Sequence, residues 1–179
     1  THEAELDLCR ALGDTASRDG EVLSFQSLAT RVLSQTGGIS DITLDNGGKI
    51  LIMRRALQEV SSYLTVFSKP SQRPAFLREL VALADELYAY KIAPSLLLQQ
   101  VQDIPGAAGD KLRSTALLFG AYDARLHGGD FDARSKVQKL CDKLPNSDYL
   151  CGKDIYIDGF SYFNRTEEDI IAAALKQAN

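Results

Sequence analysis

The sequence predicts a mainly α fold, with a helical subdomain inserted between two pieces of a partial α/β core. Three observations predict it. Most of the chain carries apolar residues at the three-to-four spacing of amphipathic helices. Two short strand-like stretches lie near its opposite ends, around 22–24 and 154–158. The later one, Lys153-Asp154-Ile155-Tyr156-Ile157-Asp158-Gly159-Phe160-Ser161-Tyr162-Phe163, alternates β-branched or aromatic residues with polar ones and then stops at Asp-Gly. It reads as a buried strand that delivers a carboxylate to the tip of a sheet. A lone strand in a helical chain has no sheet of its own, so part of that sheet is expected to lie outside these 179 residues. The expected organisation is one fragment, 1–179, with the helical insert at about 40–150 and core pieces at 1–39 and 151–179. An opening Thr1-His2 in place of Met fits the same expectation.

Taken in order, Glu3 to Leu12 places Ala4, Leu8, Ala11 and Leu12 on one face, and Gly13 ends the helix. Thr15 to Gly20 is a polar loop. Glu21 to Phe25 is an apolar burst that reads as the first strand. From Ser27 the spacing becomes helical through Leu28, Ala29, Val32 and Leu33, until Gly37-Gly38. Thr43 or Asp45 can cap a helix carrying Ile50, Leu51, Met53, Leu57 and Val60, whose first turns are weakened by Gly47-Gly48. Tyr63 to Phe67 reads as an extended or helix-ending piece closed by Lys69-Pro70.

Gln72 to Tyr90 is the longest clear helical pattern, with Phe76, Leu80, Leu83, Ala84 and Leu87 in phase. Pro94 opens another helix to Val101, because a proline in the first turn loses no helical hydrogen bond. Asp103 to Gly109 reads as a loop, and Asp110 as the start of a helix to about Leu126. Asp130 is expected to cap a helix over Phe131 to Leu144, closed by Pro145-Asn146. After the second strand, Thr166 and Asp169 stand at capping spacing ahead of a final helix, Glu167 to Gln177.

Composition bounds the function. A 45% hydrophobic and 25% charged content is that of an ordinary globular domain. No apolar run approaches the roughly 20 residues that a membrane span needs. A net charge of −4 means that bulk charge does not attract nucleic acid, so any such contact is local. Cys9, Cys141 and Cys151 are odd in number and widely spaced, which argues against a disulfide framework or a zinc site and makes a reducing cytoplasm the default. His2 and His127 have no neighbours in sequence that would make them catalytic or metal-binding.

Two turns carry the candidate chemistry. Asp158 follows an apolar strand, where nucleotide-driven motors place an acid that holds Mg²⁺, with a second acid beside it. Here Gly159 follows, and no phosphate-cradling GxxxxGK[ST] occurs, so hydrolysis is not supported and Asp158 also reads as a turn cap. Ser24-Phe25-Gln26-Ser27 lies at a strand-to-helix turn. Backbone N–H groups and small hydroxyls there suit a phosphate, and Phe25 could stack on a base. The same residues also read as a helix cap with Phe25 in the core. Arg54-Arg55 and Lys69 to Arg73 suit a nucleic-acid backbone or a solvated helix face.

The run Val22 to Leu33 resembles a motif of the B-type subunits of bacterial AddAB-type (RexAB-type) ATP-dependent helicase/deoxyribonucleases. Ile155 to Phe163, followed by Glu167 or Glu168 and a helix, resembles that family's degenerate counterpart of the helicase Asp-Glu motif. The order of helices between them is also similar, so the resemblance covers nearly the whole chain. It implies a helicase-like segment of a protein that works with an A-type partner, as a heterodimer, on broken DNA ends in recombinational repair. It implies single-stranded DNA contacts at Ser24, Phe25 and Gln26, and a degenerate acidic motif at Asp158, Gly159 and Phe160. The family's Mg²⁺, ATP and iron–sulfur cluster are expected outside this chain, which is expected to hold no catalytic or metal-binding residue. A helical protein-interaction adaptor is the alternative that the acidic charge favours.

Overall fold

The structure, a computed structural model, describes residues 2–13, 20–38, 44–67, 73–128 and 134–179. Among these, eight α-helices occur: α1 (His2–Leu12), α2 (Phe25–Thr36), α3 (Asn46–Val60), α4 (Pro74–Ala89), α5 (Pro94–Gln100), α6 (Gly106–His127), α7 (Lys136–Lys143) and α8 (Arg165–Ala174). The mainly α expectation therefore holds. The chain divides into two compact units. One comprises Thr1–Ser40, Ser135–Ser161 and Glu167–Asn179; the other comprises Asp41–Arg134 and Tyr162–Thr166.

The second unit is built on α6. Helix α3 packs against both α6 and α4, and α5 packs against α6. Their apolar stripes supply one core: Met53, Ala56 and Leu57 from α3, Leu77, Leu80, Val81 and Ala84 from α4, and Leu118, Phe119, Tyr122 and Leu126 from α6. Asp45 caps α3 by accepting the Gly48 N–H at 2.7 Å. Pro74 and Pro94 sit in the first turns of α4 and α5, where a missing N–H costs nothing. The expected loop to Gly109 is shorter than the sequence suggests, because α6 already begins at Gly106. Gly109 lies inside this helix, and a Cβ there would collide with the Ile104 carbonyl oxygen. That glycine serves close backbone approach, not a turn.

The first unit packs α2 against α7. Ala29, Val32 and Leu33 of α2 meet Leu140, Leu144, Leu150, Ile170 and Ala174 in its core. Helix α7 starts at Lys136, later than expected. A capping box holds it, in which Ser135 accepts the Gln138 N–H while the Gln138 side chain accepts the Ser135 N–H. The expected cap Asp130 lies outside the described residues. Thr166 does not cap α8 but lies within it, and in the second unit its hydroxyl donates to the Ala89 carbonyl at 2.9 Å.

Neither short strand forms, and no strand occurs among the described residues. A strand exists only through a ladder to a neighbour, and neither 22–24 nor 154–158 is laddered to another segment here. Residues 151–162 are all exposed, with Tyr156 at 90%. The alternation in this stretch has no sheet to be buried against, so its apolar side chains face solvent.

Candidate nucleic-acid interface

The first candidate turn is a helix entry. Ser24 is extended (φ −80°, ψ 165°) and caps α2, its Oγ accepting the Ser27 N–H at 3.2 Å. The Ser24 and Ser27 hydroxyls also lie 3.0 Å apart. Both hydroxyls are thus engaged in the cap that the sequence offered as one of two readings. Phe25, the first helical residue, is neither core nor fully exposed; it packs at the edge of the first unit's core. Gln26 is exposed.

The second candidate turn is at Asp158-Gly159-Phe160. The Asp158 carboxylate accepts the Gly159 N–H at 2.8 Å, which is the turn-capping role. Gly159 adopts φ +78°, a conformation that residues with a side chain rarely adopt. An acid at this position would be strained, which is a physical reason for the Asp-Gly in place of Asp-Glu. The turn leads directly into Phe160, which is half exposed.

The two turns meet. The rings of Phe25 and Phe160 lie 5.4 Å apart between centroids, at 61° to one another, in an edge-to-face contact. Ser24, Phe25 and Gln26 are therefore grouped with Phe160, and Asp158 and Gly159 shape the turn behind it.

A polar cluster adjoins these turns and was not legible in the sequence. Glu21 accepts from the Arg31 guanidinium at 2.6 Å on one carboxylate oxygen and from the Tyr149 hydroxyl at 3.0 Å on the other. The Lys153 ammonium lies 3.7 Å from the centre of the Tyr149 ring, at cation–π distance. Burial, and then the bond to Glu21, push the Tyr149 phenol above its ordinary pKa. Nothing in the residues around Glu21 announces a partner as distant in sequence as Tyr149.

Comparison with known proteins decides the family. The family model described as "ADDB, N-terminal" matches residues 1–179. The chain belongs to the ADDB N-terminal family. Among curated relatives it is similar to the B-type subunit of the "ATP-dependent helicase/deoxyribonuclease" of Desulforamulus reducens, at 36% identity over 163 residues, covering 89% of this chain and 14% of the relative. The protein of the same name from Clostridioides difficile is 30% identical over 162 residues, covering 88% of this chain and 14% of the relative. That of a Thermoanaerobacter species is 26% identical over 179 residues, covering 99% and 16%. This ADDB N-terminal chain thus spans about a seventh of the length of these relatives.

An iron–sulfur cluster is usually held by four thiolates, and the chain has three cysteines. Among the described residues, no three His, Cys, Asp or Glu side chains converge to hold a metal ion. Asp158 has no second acid beside it. In the second unit, Arg54, Arg55 and Arg73 are exposed, while Lys69 and its loop lie outside the described residues. No helix among the described residues is long and apolar enough to cross a membrane.

Proposed function

We propose that this chain is the non-catalytic, helicase-like segment of a helicase–nuclease subunit that guides single-stranded DNA during double-strand break repair by homologous recombination. Family membership supports the parent activity. The observation that carries the site is the meeting of Phe25 and Phe160 at 5.4 Å, because these come from the two stretches in which the family resemblance resides. A half-exposed Phe160 ring against a partly buried Phe25 ring, beside a helix entry, suits the stacking of unpaired bases, which needs no particular base sequence. The ring pair, with Ser24 and Gln26 beside it, is the DNA-facing group, and Asp158 and Gly159 serve its geometry.

The segment works within a heterodimer, beside the A-type partner of the helicase–nuclease, in a reducing cytoplasm that suits its free cysteines. The Mg²⁺, ATP and iron–sulfur chemistry belongs to the rest of the parent protein. The exposed Ile155, Tyr156 and Ile157 supply apolar surface against which the rest of the parent protein packs.

Fluorescence anisotropy with a labelled oligothymidylate, at low and moderate salt, tests the reading. Micromolar, salt-sensitive binding that weakens in Phe25→Ala is expected. Complete absence of binding would favour the interaction adaptor, the reading that the net charge of −4 supports.

A further inference from the structure

We propose that Glu21 is a positioning residue that holds Phe25 against Phe160, a role that rests on the reading of this pair as the DNA-facing group. Its carboxylate is divided between two segments. One oxygen takes the Arg31 guanidinium, which stands on the helix that Phe25 opens. The other takes the Tyr149 hydroxyl, from the turn that precedes the stretch ending at Phe160. One side chain therefore ties the entry to α2 to the segment that delivers its aromatic partner.

The far end of this tie is anchored. The Tyr149 ring packs at the edge of the first unit's core, and the Tyr149 N–H donates to the Ser147 hydroxyl at 3.1 Å. Lys153 covers the same ring, and its carbonyl accepts the Asn179 N–H at 3.2 Å. Lys153 also lies in the exposed run, 151–162, that leads to Phe160. On the near side, the bond from Glu21 to Arg31 folds residues 21–24 back along α2, which fixes the angle at which Ser24 enters its cap.

An ordinary solvated ion pair would use Arg31 alone and would contribute little. The second bond, to a phenol from a distant part of the chain, distinguishes a tie from a surface pair. The tie also predicts a sign that charge alone does not. Removing a carboxylate near an anionic ligand should tighten binding electrostatically. Removing a positioning carboxylate should loosen it.

The test uses the 179-residue chain with Glu21→Ala and the milder Tyr149→Phe, which removes only the hydroxyl. Nuclear Overhauser contacts between the Phe25 and Phe160 rings are measured without DNA. They should be present in the parent chain and weakened in both variants while helix content is retained. Undiminished ring contacts in both variants overturn the proposal. Oligothymidylate binding is then measured by anisotropy. Glu21→Ala should bind roughly three- to tenfold more weakly, the scale of one lost hydrogen bond, and should cause little further loss when Phe25→Ala is also present. Equal or tighter binding by Glu21→Ala contradicts the positioning role. Failure of the parent chain itself to bind refutes the DNA reading, and the ring contacts alone then decide whether the tie exists.

Discussion

Phe25 and Phe160 stand edge to face, 5.4 Å apart, although they come from opposite ends of the sequence. The contact brings two separate motif-like stretches together. An edge-to-face pair of this kind contributes about 0.5–1.5 kcal/mol beyond the area it buries. Phe160 stays half exposed even so, which leaves aromatic surface available to a ligand.

The turn before Phe160 depends on Gly159. At φ +78° a side chain costs about 1–2 kcal/mol in backbone strain, yet a Cβ there would meet nothing within 4 Å. Gly159→Ala should therefore destabilise by that amount through the backbone alone, and Gly159→Asn by less. Urea denaturation measures both; an alanine variant as stable as the parent would contradict the turn geometry.

Ser24 caps α2 through the Ser27 N–H. Ser24→Ala should cost about 1 kcal/mol. Ser24→Asp keeps a capping acceptor but places a negative charge at the aromatic pair. It should retain stability while weakening oligonucleotide binding. The two effects are separated by comparing urea midpoints with anisotropy, and equal loss of stability in both variants would rule the cap out.

Two phenols, the buried Tyr122 and the partly buried Tyr88, give the second unit a sensitivity to alkali. Burial pushes the Tyr88 pKa far up, helped by the 2.6 Å bond its hydroxyl donates to Asp123. Burial raises Tyr122 as well, with a smaller push from the Asp85 charge. Both folded pKa values lie above the unfolded value of about 10. The associated stability is thus complete below about pH 10 and declines above it, by about 1.4 kcal/mol per pH unit for each phenol. Urea midpoints followed from about pH 8 to about pH 11 should show this decline, and either Tyr→Phe change should make it shallower. The two changes should differ at neutral pH. Tyr88→Phe loses a hydrogen bond and costs about 1 kcal/mol, whereas the Tyr122 hydroxyl has no hydrogen-bond partner among the described residues, so Tyr122→Phe should be neutral or slightly stabilising.

Much of the helical framework was legible because its signals are local. Gly13 and Gly37 close α1 and α2, Asp45 caps α3, and Pro94 opens α5, each visible within a few residues of sequence. The errors arose where a local signal had a non-local cause. Gly106 and Gly109 look like loop punctuation, but Gly109 is small because the Ile104 backbone crosses it. The alternation at 154–158 is that of a strand, but a strand needs a neighbour, and none is present among the described residues. At the candidate site, residue types were readable one turn at a time. The contact between Phe25 and Phe160, and the division of the Glu21 carboxylate between Arg31 and Tyr149, depend on packing across the first unit, which no spacing rule encodes.

A double-mutant cycle on single-stranded DNA affinity tests the central claim most directly. Phe25→Ala and Phe160→Ala should each cost about 1–3 kcal/mol of binding, the scale of one stacked base. Their combination should cost clearly less than the sum, because the rings act as a pair. Affinities that do not change in either single variant, or losses that add in full, would contradict a shared DNA-facing site.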